Sequence, residues 1–352
     1  MMALKIIIIQ LLLLSISYAQ EMKIQEEHIV DAFHKDTSKR LRSVSDYIDD
    51  TLFDLANYLD EDNNTTIQGP VKTKDKKLAK RKKHADEFFL SDKFLTETDH
   101  PYLRITPESV FNSKESNDYK LKFNAHLPLS RSRKRFKIFI GNLSDDNYND
   151  IFSNNKNTTK PEVGVNYFQP ETYGINSKYS VGFNGVYPFA RARFSTQYHP
   201  YNWDIELVQT FKYSSDDHFQ EQTQVFLDTS FYNLSLFRLQ FERSTQEEES
   251  GMTYNSSILM FWQPSYKAGL TLNQTFFGQT KYRYAPNKNS TPTFYKETDG
   301  INDYKTTLSY RQNFYRKWLF YVVEPSVNFS AIHDYEPNYG LRLSIDMFFG
   351  GI

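Results

Sequence analysis

The chain has 352 residues, a formal net charge of −1 and no cysteine. These features exclude a disulfide framework, a thiolate metal site, a cysteine nucleophile and a strong overall attraction to nucleic acid. The mean hydropathy is low, at −0.64, yet aromatic residues make up 16% of the chain. Soluble proteins seldom combine the two, whereas a strand-built membrane protein has rings toward lipid and polar residues toward its interior.

The N-terminus is typical of an export signal. Lys5 gives a basic start, residues 6–14 are apolar except for Gln10, and Ser17-Tyr18-Ala19 fits the small-x-small cleavage rule. We therefore predict a signal peptide over residues 1–19. An uncleaved helical anchor is the alternative, although the apolar run is shorter than the roughly 20 residues that span a bilayer.

Residues 20–98 are predicted to form a helical, lysine-rich periplasmic segment and linker. Three- and four-residue steps separate the apolar residues Leu41, Val44, Ile48, Leu52, Leu55 and Leu59. This spacing predicts an apolar stripe on a helix that ends at residues 60–64. The helix either docks on another part of the protein or self-associates as a coiled coil. The lysine-rich stretch 72–83 is interpreted as a solvated linker, with contact to anionic lipid head groups as the alternative.

From about residue 101 the apolar period changes to two, which predicts strands with one apolar and one polar face. Several runs reach ten residues or more, the length that crosses a bilayer when tilted. Fourteen strands are predicted, or twelve if the first and the pair around Tyr187-Pro188 are not formed. They cover 101–110, 117–129, 134–143, 162–169, 175–186, 189–199, 203–215, 219–231, 234–245, 252–262, 266–282, 303–314, 318–333 and 338–350.

Short connections largely alternate with longer polar ones, which we place at 144–160, 244–251 and 283–302. An up-and-down barrel has this pattern, with tight periplasmic turns and longer external loops. The predicted fold is therefore an all-β transmembrane antiparallel barrel over residues 99–352, preceded by the helical segment. An even strand count puts that segment and the C-terminus on the same, periplasmic, side.

The last strand, 338–350, resembles the C-terminal assembly signal of bacterial outer-membrane barrels. Apolar residues alternate there from Tyr339 to Phe349, although Gly350-Gly351-Ile352 replaces the usual terminal aromatic. Residues 203–243, with Trp203-Asp204 and the tip at 214–217, resemble a group of uncharacterised proteobacterial outer-membrane proteins, as does the stretch 318–325. The resemblance implies an outer membrane location in a Gram-negative bacterium, contact with its lipid, and recognition of the last strand by the barrel-assembly machinery.

Charged residues on the polar faces of the strands are expected to point into the lumen, because Arg or Lys at mid-depth on the lipid face costs about 2–4 kcal/mol. They are Lys120, Lys122, Arg191, Arg193, Glu206, Lys212, Asp228, Arg311, Glu324, Arg342 and Asp346. They line either a pore that selects solutes by size and charge or a closed interior filled by salt-bridged side chains. A loop or the N-terminal helix is the expected plug in the second case.

A rim active site is the competing hypothesis. Asp217 and His218 occupy one predicted outer tip, and His333 and Asp334 occupy another. A His–carboxylate pair can act as a general base, so these residues predict an outer-membrane hydrolase, a protease or a lipase. No nucleotide-binding glycine pattern or clustered metal ligands are found, and we expect no cofactor, no metal and no nucleic-acid partner. The preferred hypothesis is a non-catalytic barrel with a channel, transport or envelope-structural role.

Overall fold

A computed structural model describes residues 29–59, 88, 101–128, 136–141, 161–231, 235–247, 251–265, 267–284 and 296–350. The predicted signal peptide, 1–19, and the lysine-rich stretch, 72–83, lie outside the described residues. None of the helices within these ranges is both long enough and apolar enough to cross a membrane.

Fourteen antiparallel strands close into one barrel, in which each strand pairs with its neighbours in the chain and the first pairs with the last. The strands are Tyr102–Asn112 (β1), Asp118–Pro128 (β2), Phe136–Gly141 (β3), Glu162–Thr172 (β4), Ile175–Asn184 (β5), Tyr187–Tyr198 (β6), Trp203–Ser214 (β7), His218–Phe231 (β8), Ser235–Gln246 (β9), Thr253–Ser265 (β10), Ala268–Tyr284 (β11), Lys296–Asn313 (β12), Leu319–Ser330 (β13) and Pro337–Gly350 (β14). The prediction of a fourteen-stranded up-and-down barrel is confirmed.

The connection predicted at 283–302 is wrong at both of its ends, because residues 283–284 and 296–302 belong to strands. β11 and β12 have 17 and 18 residues, and they remain paired as far as Tyr284 and Lys296. The pairing shifts register after Phe277 and again after Gln279. Such bulges break the strict alternation of faces. The polar sequence is therefore typical of a loop, although its backbone continues the pairing between β11 and β12.

The barrel is packed in the opposite sense to a soluble protein. Asn166, Asp228 and Asp346 have 0%, 0% and 1% of their surface exposed, whereas Leu121 and Tyr339 are 64% and 63% exposed. Buried and exposed positions alternate along the strands, as on β7. Polar side chains therefore face the interior and apolar ones face outward, which is the arrangement expected of strands surrounded by lipid.

The two ends of the barrel differ in what they carry. At one end, here called the terminal end, β1 begins and β14 finishes, and the described connections are short, such as 173–174 and 199–202. The other end, the far end, carries the connections 142–161 and 285–295. Because the strand count is even, the start of β1 and the end of β14 meet at the terminal end, where Tyr102 pairs with Gly350.

The helix Ile29–Leu59 (α1) precedes the barrel and contacts mainly β14 at the terminal end. The predicted helix is present, and it docks on the barrel. The predicted apolar stripe forms only part of the docking face: Leu41 lies against Gly350 of β14, whereas Val44 is 49% exposed, and the buried Ser38 and Ser45 supply the rest. The surface beneath includes backbone groups at the end of β14, and a hydroxyl can satisfy them where an aliphatic side chain cannot.

Candidate functional site

The interior wall of the barrel and its terminal mouth form the candidate site. All of the predicted lumen charges lie on the inner face of their strands. Arg191, Glu206, Asp228, Arg311, Glu324 and Asp346 are buried, and Lys120, Lys122, Arg193, Lys212 and Arg342 are half-buried.

Asp346 on β14 is the centre of one charged cluster. It accepts hydrogen bonds from the Arg104 guanidinium at 3.1 Å, from the Thr106 hydroxyl at 2.7 Å and from Arg311. The Arg311 guanidinium carbon also lies 4.3 Å from the centre of the Phe320 ring. Two cations and a hydroxyl thus share one carboxylate, and this arrangement stabilises a buried charge that would otherwise be costly.

A second cluster lies on the same strand, centred on Arg342, four residues before Asp346. The Arg342 guanidinium donates to Glu324 at 2.5 Å and to Glu108 at 3.3 Å, and the Lys122 ammonium lies 3.3 Å from Glu108. The two clusters form a charged stripe up the inner wall of β1, β2 and β12–β14. Sequence reasoning missed Arg104 and Glu108 on β1, although each sits at an inward position of the alternating pattern.

The opposite wall carries further buried ion pairs. Glu162 on β4 binds Arg191 at 2.8 Å and Lys212 at 3.0 Å. On β8 and β9, Asp228 and Arg238 form a bidentate pair with Nε–Oδ1 and Nη2–Oδ2 distances of 2.7 and 3.0 Å. Glu162 and Arg238 were also missed from the sequence, since the dyad pattern gives the face of a residue and not its partner.

The inward side chains pack closely against one another at the level of these residues. Val208 is 0% and Asn273 1% exposed. Fourteen strands about 4.8 Å apart and tilted by about 40° enclose a barrel roughly 28 Å across, which is wide enough for a channel.

Aromatic residues cluster at one side of the terminal mouth. Tyr102 and Phe348 are each 2% exposed and pack with Trp318 and Phe320. Phe88, from the segment between α1 and β1, is buried and meets the Phe320 ring edge-on, with the ring centres 6.2 Å apart. This cluster therefore includes a side chain from outside the barrel strands.

Polar and aromatic contacts attach helix α1 to the same mouth. The His34 ring stacks on Trp318 at 4.3 Å between centres, and its Nε2 lies 2.8 Å from the carbonyl oxygen of Phe348. The Arg316 guanidinium donates to Asp31 at 2.6 Å, and this hydrogen bond raises the pKa of the guanidinium. The ion pair between Arg316 and Asp31 has short hydrogen bonds, but it lies at an exposed turn, where salt weakens the attraction between the two charges.

The predicted rim site is not assembled. Asp217 and His218 belong to the β7–β8 hairpin, whereas His333 and Asp334 belong to the β13–β14 hairpin. The strand order places these hairpins on nearly opposite sides of the rim, about 25 Å apart for a barrel of this size. His333 instead approaches Glu115, with its Nε2 3.5 Å from a carboxylate oxygen. In an up-and-down barrel the chain order fixes the position around the ring, and the sequence motifs alone did not reveal this separation.

No group of three or more histidine, cysteine, aspartate or glutamate side chains that could hold a metal ion occurs in the described part of the chain. No family model and no curated protein matches the sequence.

Several solved structures are similar to this chain, and they are bacterial outer-membrane β-barrels. A loop-deletion mutant of OmpT, an outer membrane protein of Vibrio cholerae, is 10% identical with a TM-score of 0.43, and the match covers 71% of this chain and 98% of that one. An anion-selective porin from Comamonas acidovorans is 9% identical with a TM-score of 0.39, covering 71% and 98%. OccK11 of Pseudomonas aeruginosa is 11% identical with a TM-score of 0.41, covering 71% and 95%. Identities and TM-scores this low indicate nothing about function. The fold is established by the strand pairing within the chain.

Proposed function

We propose that this chain is an integral outer-membrane β-barrel that acts, without catalysis, as a gated pore for small polar solutes, here in its closed state. The supporting observation is the inverted packing of the strands, with exposed apolar residues such as Leu121 and Val181 outside and buried charges inside. Only closed barrels and helices satisfy their backbone hydrogen bonds in lipid. A polar interior surrounded by such a wall is suited to water and polar solutes once it is opened.

A gated pore is favoured over a purely structural barrel by the elements that lie at the terminal mouth. Phe88 and α1 are not barrel strands, and the side chains that attach α1 include Asp31, His34 and Ser38. Loss of these contacts would leave the strand pairing intact. The envelope-structural role remains the second candidate, since the buried ion pairs also strengthen the wall.

Two experiments test the proposal, the first for location and the second for conduction. After export in a Gram-negative host, the chain is expected to stay in the outer membrane through a carbonate wash. In planar bilayers, Arg316→Glu is expected to raise the fraction of time spent conducting, because it sets a carboxylate against Asp31. The reversed pair Arg316→Glu with Asp31→Arg is expected to restore the closed state.

Lys114→Glu serves as the matched control, because Lys114 forms an ion pair with Glu336 at 2.6 Å at the far end of the barrel. It is expected to leave the closed state unchanged. A chain that begins near residue 100 is expected to conduct without gating. Conduction that never appears in Arg316→Glu or in the shortened chain would contradict a pore and favour the structural role.

The hydrolase hypothesis is tested separately at the rim. Replacing Asp217 and His218 by alanine is expected to leave conductance unchanged. Hydrolysis of peptides or phospholipids by the natural chain, lost in this variant, would overturn the non-catalytic proposal.

We also infer that the barrel-assembly machinery recognises the last strand, 338–350. Tyr339 and Leu343 on its outward face are 63% and 38% exposed, and they would be accessible before insertion. Replacing both by serine is expected to reduce the folded, heat-modifiable form in membranes. Folding of the same variant from denaturant into detergent, without the machinery, is expected to remain efficient.

A further inference from the structure

The outward face of β7, β8 and β9 carries a hydrogen-bonded polar cluster, defined here as Gln209, Glu221, Thr223 and Arg243. The Glu221 carboxylate accepts from the Gln209 amide at 3.0 Å and from the Arg243 guanidinium at 2.9 Å. The Thr223 hydroxyl donates to the Gln209 carbonyl at 2.7 Å and accepts from Arg243 Nε at 3.3 Å. All four side chains belong to the face that elsewhere carries apolar residues, so the cluster interrupts the apolar wall.

The cluster lies within the height of the apolar band. Along β7, Gln209 is placed between Trp203 and Tyr213, two outward aromatic residues at opposite ends of the strand. Ten residues of tilted strand rise about 25 Å along the barrel axis, which is the height of such a band. Phe219 lies beyond Glu221 toward the far end and is 47% exposed. Lipid chains, and not head groups, would therefore surround the cluster on a single barrel.

That environment is unfavourable for the ion pair. The side chains of Arg243 and Glu221 are 51% and 30% exposed. A charged residue on the lipid face costs up to about 2–4 kcal/mol at mid-depth. A neighbouring surface that supplies hydrogen bonds and excludes lipid would remove this cost.

The chemistry of the cluster selects among possible neighbours. Its one positive and one negative charge cancel, and the Glu221 carboxylate would repel a lipid phosphate. Guanidinium, amide, hydroxyl and carboxylate together offer both donors and acceptors. A surface with the same set of groups, turned by a twofold rotation, matches donors to acceptors because such interfaces are self-complementary.

We propose that the outward face of β7–β9 is where a second copy of this chain docks, with the polar cluster at the centre of a twofold interface. Leu207 and Phe241, which flank the cluster and are 44% and 45% exposed, form the apolar surround of the contact. Polar side chains that face lipid can hydrogen-bond between membrane-embedded segments. The inference rests on the proposed membrane location, since in water the cluster would need no partner.

The contact is small, so the polar cluster has to supply much of its stability. The three strands β7–β9, about 4.8 Å apart over a band about 25 Å high, present roughly 360 Å² per copy. Standard interfaces bury about 800 Å² per partner, and smaller ones form weaker pairs. Further polar residues lie beside the contact on the outward face, where Gln274 on β11 and Thr306 on β12 are joined by a hydrogen bond of 2.5 Å.

Cross-linking of the full chain in native outer membranes tests the proposal, because the absence of natural cysteines makes each introduced cysteine unambiguous. Leu207→Cys and Phe241→Cys are expected to give covalent dimers with a short bismaleimide. Leu121→Cys is the matched control: it is outward-facing and 64% exposed, but it lies on β2 at the other side of the barrel. It is expected to remain monomeric.

A second measurement uses the cluster itself. Arg243→Gln with Glu221→Gln is expected to lower the dimer fraction of Leu207→Cys about tenfold, the effect of about 1.4 kcal/mol from lost interfacial hydrogen bonds. Heat-modifiable gel mobility checks that the barrel is folded. Equal cross-linking at Leu121→Cys, or no dimer from either flanking position, would overturn the interface. A chain that is monomeric but membrane-bound refutes only this inference, whereas a chain soluble without detergent refutes the proposed function as well.

Discussion

Neutralising Asp228 is expected to destabilise the barrel strongly, because Asp228 and its partner Arg238 are 0% and 3% exposed. In Asp228→Asn the side chain keeps its shape but loses its charge, and the guanidinium loses a bidentate carboxylate bound at 2.7 and 3.0 Å. The cation remains between the Phe226 and Phe261 rings, 5.8 and 5.7 Å from their centres. Removing one partner of a buried pair costs about 3–5 kcal/mol, and we expect this loss in the free energy of unfolding.

The double variant Asp228→Asn with Arg238→Gln should be more stable than Asp228→Asn alone, since no uncompensated charge stays in the interior. Glu336→Gln is the matched control, because its ion pair with Lys114 is exposed, with side-chain accessibilities of 72% and 28%. The control is expected to cost less than about 1 kcal/mol. Urea unfolding in detergent micelles, followed by tryptophan fluorescence and gel mobility, measures all three. A loss in Asp228→Asn no larger than in Glu336→Gln would refute the reasoning.

Three further outcomes follow from the structure. Gly164→Ala is expected to reduce the heat-resistant form on gels, because the added carbon would overlap the carbonyl oxygen of Val181 across the strand pair; wild-type resistance would contradict this. In single-tryptophan variants, brominated lipid is expected to quench Trp262, which is 50% exposed on the outward face, much more than Trp318, which packs against α1; equal quenching would show that the outward face is misassigned. Raising ionic strength is expected to increase opening in bilayers, since the ion pair between Arg316 and Asp31 is partly exposed to solvent and is weakened by salt; opening that does not change with salt would show that this ion pair does not hold the closed state.

The strands were predictable because membrane crossing imposes a period of two over long runs. β7 shows the principle: every inward residue from Asp204 to Ser214 is buried or half-buried, and Leu207, Phe211 and Tyr213 on the other face are exposed. Where lipid stops, the constraint stops as well. In the proposed membrane, the extension of β12 to Lys296 lies in water and not in lipid. Its sequence therefore lacks the alternation that identifies a strand.

The candidate site was predictable only in part. Inward charges such as Arg311 and Asp346 could be assigned to a face from parity, but their pairing needed the register between β12, β13 and β14. The prediction of a shared rim site was wrong for a related reason. Strand order decides which hairpins are neighbours around the barrel, and it places the two His–Asp pairs far apart. The docking face of α1 was predicted only in part, because it combines Leu41 of the apolar stripe with Ser38, whose hydroxyl accepts a hydrogen bond from the amide of Gly350.

The attachment of α1 to the final strand has a consequence for biogenesis. The helix binds the carbonyl of Phe348 and the amide of Gly350, and the ring of Phe33 meets that of Phe349 with centres 6.0 Å apart. These groups belong to the last strand of the barrel, whereas α1 precedes every strand in the chain. The helix is therefore synthesised first but can dock only after β14 has been synthesised, so this contact forms late in assembly.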